Sequence, residues 1–442
     1  MNDIFASIGV LFVLGLAMVI TKLLSKHLSA EISRKIIHIT MGLTAISFPF
    51  VFQNRISVVI LGGIAIGALS LLRSIKTLRN GIGAALLGVK RKSYGEIYFA
   101  VSIVIVFVMH QSTFEYLVPI LVLTFADSVA ALVGTSYGRY NMAHGQEDTK
   151  SSEGSVMFFI VAFICTLVPL QLMTEIGRAE VLVISFLIGL LAAMIEAVST
   201  NGNDNILLPL LTYSFLRYNC DKPLELLFTN FGVMLFFLVI ILFVYKIANI
   251  SKLSVAYSLL VGYIIMVQGG ATWVVPPLAL ILMYGILPKM KTQEKQMILS
   301  YKVIECNTIA GVICLWLAVF FPQYREILYI AYSFSFACHL TINTYSRFIN
   351  FENSKQSVAV ICGLAKGIVF IALPTLLLTK MNCWIFVLYL VFLAVSIPPS
   401  ISLNKKYDYK SVNSITTRAN KMLVGTLTAI FAAAGGLLIC YI

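Results

Sequence analysis

The chain has 442 residues, 59% of them hydrophobic and 12% charged, against about 25% charged residues in an ordinary globular domain. That composition excludes a water-soluble fold. Lys and Arg number 32 against 19 Asp and Glu, a net charge of +13, and the distribution of the basic residues decides whether they face nucleic acid or a membrane.

Apolar runs recur from end to end. About 20 apolar residues cross the hydrocarbon core of a bilayer. On that measure the expected spans are 4–20, 36–52, 56–72, 95–111, 116–136, 155–173, 180–198, 205–216, 224–245, 253–267, 272–287, 303–321, 327–345, 357–379, 382–400 and 421–441. Several are short enough to be re-entrant, so an all-α polytopic fold with about 14–16 transmembrane helices is expected. The first run has the hydropathy of a secretion signal, but Asp3 precedes it and neither a basic n-region nor a small-residue cleavage site flanks it. It is read as a retained first helix. The eight cysteines stand singly, as at Cys165, Cys314 and Cys440, with no CxxC or Cys/His spacing, and are read as small hydrophobes.

With the N-terminus placed outside, the inside segments hold 25 Lys and Arg residues and the outside segments six. This is the positive-inside pattern. The basic excess therefore marks orientation and contact with anionic lipid headgroups, and nucleic acid is not an expected partner. Residues 1–220 carry long polar loops with clustered Gly, Asp, Glu and Lys, whereas 221–442 are mainly apolar runs with short connections. Two membrane domains with those bounds are expected, with the chemistry in the first.

Five polar clusters follow in chain order, all on the inside face in this topology. Glu31, Arg34, Lys35 and His38 lie at i, i+3, i+4 and i+7, one face of a helix. Arg34 and Lys35 suit a snorkelling anchor; His38 lies a turn deeper, where ionisable groups tend to be functional. Arg91 to Glu96 follows a basic loop, which topology alone explains. The third cluster runs from Phe125 to Tyr140 and centres on Asp127, midway along an apolar run, where a lone carboxylate requires a partner or a cation. Small residues at 126, 130, 131, 134 and 138 leave one face flat, for close helix packing or for approach of phosphate oxygens to the backbone. The fourth, Lys150-Ser151-Ser152-Glu153-Gly154-Ser155, is a helix N-terminus suited either to plain capping or to an anion. The fifth, Glu196 to Asn205, has turn composition but includes Glu196 inside an apolar run.

Asp127, Glu196 and Asp204 are candidate ligands of a hard divalent cation, which binds carboxylate oxygens and bridges phosphates. Lys35, Arg139 and Lys150 are candidates for neutralising a polyphosphate. Together these features suit phosphoryl or nucleotidyl transfer to a membrane-embedded alcohol.

The ordered motifs E-x-x-R-K-x-x-H, D-S-x-A-A-x-x-G-x-x-x-G, K-S-x-E-G-S and S-x-x-G-x-D-N, over residues 31–215, resemble the polyprenol kinase family, which includes dolichol kinase, phytol kinase and the CTP-dependent diacylglycerol kinase of yeast. The resemblance implies transfer of a phosphoryl group, typically from CTP with Mg²⁺, to a lipid alcohol. It implies that Asp127 with Gly134 and Gly138 binds nucleotide and metal, and that Lys150, Ser151, Glu153, Gly154 and Ser155 form a phosphate-binding turn. Arg34, Lys35 and His38 would support that site or the acceptor, and Ser199, Gly202, Asp204 and Asn205 would complete it. Asp127, Lys150, Glu153 and Asp204 are the expected catalytic residues; the general base is unassigned. In the family a Gly-Asp pair often opens the Asp127 motif, where this chain has Ala126.

The related phosphatidate cytidylyltransferases share this style of site, but their C-terminal signature is absent, which makes CDP-diacylglycerol synthesis the alternative. A secondary transporter is the second alternative; against it, the charges cluster at helix ends. The segment 254–291 and the ending around Gly425 and Gly435 resemble the prenyl-phosphate kinase family, with Cys338 to Asn343 in place of its acidic motif. Glu305, Asn307, His339, Asn343 and Lys366 remain as polar residues within the second-half spans, as packing partners or as a second lipid or transport site. A bacterial plasma membrane, with the active site on its cytoplasmic side, is the expected location.

Overall fold

The computed structural model describes residues 3–24, 30–75, 77, 94–139, 141–142, 150–199, 202–247, 252–285, 301–350, 354–379 and 383–395. The span 421–441 and the basic residues Arg91 and Lys92 lie outside them, as does the side chain of Glu31. The chain forms two compact units, Met1–Phe231 and Gly232–Ile442.

In the first unit the helices are α1 (Asp3–Leu24), α2 (Ala30–Ile46), the single turn α3 (Phe48–Val51), α4 (Arg55–Ser74), α5 (Gly95–Met109) and α6 (Thr113–Leu121). A π-helical turn, Val122–Ala126, joins α6 to α7 (Asp127–Tyr137). A two-residue antiparallel ladder pairs Asn141 with Ser151 and Met142 with Lys150. Then come α8 (Ser152–Met173), α9 (Arg178–Val198), α10 (Asp204–Cys220) and α11 (Leu224–Ile247), within which the division between units falls.

The apolar composition makes these segments helical, because in hydrocarbon every backbone N–H and C=O must be satisfied within its own segment. Local residues set the ends. The Asn54 side chain accepts the Ile56 N–H at 2.9 Å to start α4, and the Asp3 carboxylate accepts the N–H groups of Gln53 and Asn54, tying the start of α1 to the same turn. The continuous helix Thr113–Tyr137 and α9 are the centre of the unit: 56% of each apolar window is buried, against 11% for α1 and 17% for α4. The latter two stand at its rim. One end of the unit is tied by Arg55 on the His110 carbonyl, Tyr213 on the Met109 carbonyl and Arg217 beside Glu115. The described residues of the polar clusters lie at the other.

In the second unit, α12 (Lys252–Ile264) runs through a π-helical turn, Ile265–Gly269, to Gly270 at φ +86°, and α13 (Ala271–Gly285) follows. The guanidinium of Arg325 donates to the Gln268 and Gly269 carbonyls at 3.0 and 2.8 Å, satisfying acceptors freed by the break. The remaining helices are α14 (Tyr301–Phe320), α15 (Arg325–Asn350), α16 (Gln356–Gly367), which passes through the π-helical turn Ile368–Ala372 into α17 (Leu373–Leu378), and α18 (Cys383–Val395). The polar residues expected within these spans are buried at Asn307, His339 and Asn343.

The protein is thus an all-α polytopic membrane protein. Among the described residues six helices are long and apolar enough to cross a membrane, and five apolar helices are shorter. One break accounts for part of the difference from the expected spans: Ser47 divides 36–52 into α2 and α3. The break at Gly270 falls between the expected spans 253–267 and 272–287.

Candidate functional site

Asp127 opens α7 directly after the π turn. Pro119, inside α6, has no N–H to donate, and the wider turn follows three residues on. An extra residue in a turn rotates everything after it by about 100° relative to a continuous α-helix, and so sets where Asp127 points. Its Oδ2 meets Lys35 Nζ at 2.6 Å, and the same ammonium donates to the Asp127 carbonyl at 3.2 Å. His38, one turn along α2 from Lys35, places Nε2 at 3.4 Å from the same Oδ2 and donates to the Leu123 carbonyl, inside the π turn, at 3.2 Å. Since a carbonyl only accepts, that bond puts the proton on Nε2. The edge of Phe99 against His38, centroids 4.8 Å apart, fixes the ring from the other side. Lys35 and His38 are both buried.

The fourth cluster is built by the short ladder and the start of α8. Ser151 caps the helix, its Oγ accepting the Gly154 N–H at 3.1 Å. Glu153 Oε1 accepts the Arg139 main-chain N–H at 3.1 Å and so ties the end of α7 to this turn. Here α7 and α8 touch backbone to backbone: a Cβ on Gly154 would stand 3.1 Å from the Ala130 carbonyl oxygen, one on Gly134 2.9 Å from Ser151 Oγ, and one on Gly138 2.8 Å from Ser151 Cβ. Glycine is required by that approach. Ala130 is one turn from Asp127, so the seam brings the third and fourth clusters together.

Lys150 does not stand free for an anion. Its ammonium pairs with Glu196 Oε1 at 2.9 Å and donates to the Glu196 carbonyl. The second oxygen, Oε2, is buried with no hydrogen-bond donor among the described residues, as are Asn205 Oδ1 and Ser155 Oγ. Gly202, at φ +84°, makes the turn into α10, where the Asp204 Oδ1 accepts the Asn205 N–H at 3.1 Å. A cleft lined by Arg34, His38, Gly95, Glu96 and Asn205, with Met41 and Phe99 at its apolar side, joins the first, second and fifth clusters. Glu96 is approached by Arg73 at 3.8 Å. Sequence reasoning misses Phe99, an aromatic in an apolar run with nothing to distinguish it. It assigns Glu96 no role, although an acid in the first turn of a span is itself a signal.

The structure therefore brings Lys35, His38 and Asp127 together, Lys150 with Glu196, and the glycines with Ser151. It does not gather the three acids into one cluster: among the described residues no three His, Cys, Asp or Glu side chains group to hold a metal ion. The donors present still fit a hard cation that arrives with phosphates, since Mg²⁺ is commonly held by one or two carboxylates plus phosphate oxygens, and Glu196 Oε2 is a buried acceptor of that kind.

The chain is 32% identical to the phytol kinase of Synechocystis sp. over 207 residues, 44% of this chain and 83% of that protein. The chain belongs to the polyprenol kinase family. More than half of it lies outside the matched stretch, so family membership speaks for one part of the molecule. No protein-family model matches the chain, and no solved structure does.

Proposed function

We propose that the protein transfers the γ-phosphoryl group of a nucleoside triphosphate, CTP in the first instance, to a long-chain isoprenoid or other lipid alcohol, on the cytoplasmic face of the membrane. The observation that carries this reading is the half-buried Asp127, held between the buried Lys35 and His38 beside a glycine-lined helix seam, in a chain similar to a phytol kinase.

Phosphoryl transfer asks little covalent chemistry of a protein and much positioning and charge. Lys35 and His38 hold the Asp127 carboxylate in one orientation. Lys150, released from Glu196 as the nucleotide enters, neutralises charge on the phosphates, and the seam of Gly134, Gly138 and Gly154 locks α7 against the N-terminus of α8, where the phosphates would bind. Glu196 would hold Mg²⁺, which when bound supplies charge neutralisation on the phosphate oxygens. The alcohol oxygen attacks the γ-phosphorus in line, the bond to the bridging oxygen breaks, and the hydroxyl proton passes to a carboxylate of the cleft, for which Glu96 beside His38 is best placed.

The test is transfer from γ-labelled CTP, ATP, GTP or UTP by the purified protein, with Mg²⁺, to phytol, farnesol, undecaprenol, dolichol and diacylglycerol in turn. A labelled lipid identifies donor and acceptor together. Pyrophosphate release from CTP with phosphatidate, and no labelled alcohol, would overturn the proposal in favour of CDP-diacylglycerol synthesis.

A further inference from the structure

Beyond the polar cleft, deeper in the first unit, lies a half-open apolar groove with a cavity volume of about 50 Å³. Leu14 of α1 and Ala65 of α4 line its outer side, Val104 of α5 its inner side, and Phe48 lies at its far end. Met41 and Phe99 line both the groove and the cleft, so the two adjoin at these side chains. Phe52 and Phe107 stand edge-on to Phe48, with centroids at 5.1 and 6.2 Å, and close the far end. The outer wall is made by the two rim helices, whose other faces carry exposed apolar side chains such as Phe12 and Ile60. In a bilayer those faces meet lipid.

The dimensions match a chain with one polar end. From His38 to Phe48 is ten residues, about 15 Å of rise, or half the hydrocarbon thickness. The polar end of this path carries Arg34, His38, Glu96 and Asn205, whereas the groove itself offers almost no hydrogen-bonding side chain, Thr44 excepted. A molecule filling both is a long hydrocarbon with a small polar head.

We propose that this groove holds the hydrocarbon chain of the acceptor alcohol, entering between the rim helices α1 and α4, with its hydroxyl passing Met41 and Phe99 into the cleft. The proposal rests on the kinase reading and deepens it by assigning the acceptor site. An acyl chain of an ordinary phospholipid shares the apolar chemistry, and the competitor arms of the test below distinguish the two.

The test uses the full chain in detergent with a long-chain isoprenoid alcohol bearing a diazirine at the end of its chain. After illumination, the crosslinked positions are mapped by mass spectrometry, with excess phytol or phosphatidylcholine as competitor. The expected result is label on α1 and α4 near Leu14 and Ala65, competed by phytol and not by phosphatidylcholine. Ala65→Trp should fill the groove and lower both labelling and kcat/KM for the long alcohol, relative to a short one, by about tenfold; Ala65→Leu should give a smaller drop in the same ratio and guards against misfolding of the larger variant. Label outside α1, α2, α4 and α5, equal competition by phosphatidylcholine, or an unchanged ratio in both variants would overturn the proposal. Alcohol-specific label in the groove, with no phosphate transfer to any alcohol by the unsubstituted protein, would support the groove and count against the kinase reading alone.

Discussion

Lys35 and Asp127 are 92 positions apart in the chain and 2.6 Å apart in the fold. A lone carboxylate midway along an apolar run demands a partner, so the need for one is legible in the sequence; which residue answers is not, because the pair is made by α2 lying against the π turn. The i, i+3, i+4, i+7 spacing correctly sets Lys35 and His38 on one face, and burial separates them from Arg34, which lines the cleft. For Lys150 the composition of the turn suggests phosphate, and the fold adds a carboxylate that the chain places 46 residues later. Removing the buried lysine strands a half-buried carboxylate. Lys35→Met should therefore lower stability by about 1–3 kcal/mol, measured by thermal or denaturant unfolding in detergent. The double variant with Asp127→Asn should recover most of that loss, and additive losses would show that the two side chains are not coupled.

Helix existence is legible from apolar runs, but helix register is not. A wheel drawn through 116–136 as a regular α-helix misplaces every side chain after Val122 by about 100°, because nothing in the apolar composition of Val122–Ala126 announces a π turn. Deleting Phe125 should convert this turn to regular helix and swing Asp127 away from Lys35. Turnover should be lost with helical content by circular dichroism retained; unchanged turnover would show that the turn does not position the site. The seam between α7 and α8 is better announced, since small residues at 130, 134 and 138 recur at helical spacing, although their partner Gly154 is identified only by the fold. Gly154→Val should push the helices apart at a cost of about 1–3 kcal/mol, read as a lower unfolding midpoint, and an unshifted midpoint would mean the approach is looser than 3.1 Å.

At the scale of the molecule, composition alone reaches the class of fold, and the Lys and Arg distribution sets an expected orientation. Span boundaries are less legible, because breaks such as the one at Ser47 divide stretches whose hydropathy is nearly continuous. The orientation is testable with a membrane-impermeant maleimide on right-side-out vesicles. A cysteine replacing Glu175, exposed in the turn between α8 and α9, should be labelled at once, and one replacing Tyr137, exposed at the end of α7, only after permeabilisation; the reverse order would invert the topology and put the site outside.

The most direct measurement is label transfer from γ-labelled CTP to phytol in proteoliposomes, with the unsubstituted protein and Asp127→Asn side by side at equal folded amounts. The proposed mechanism predicts labelled lipid from the first and a loss of at least about 100-fold in the second. Equal labelling by both would contradict the assignment of Asp127 as the centre of the site, and no labelling of any lipid alcohol by the unsubstituted protein would contradict the kinase itself.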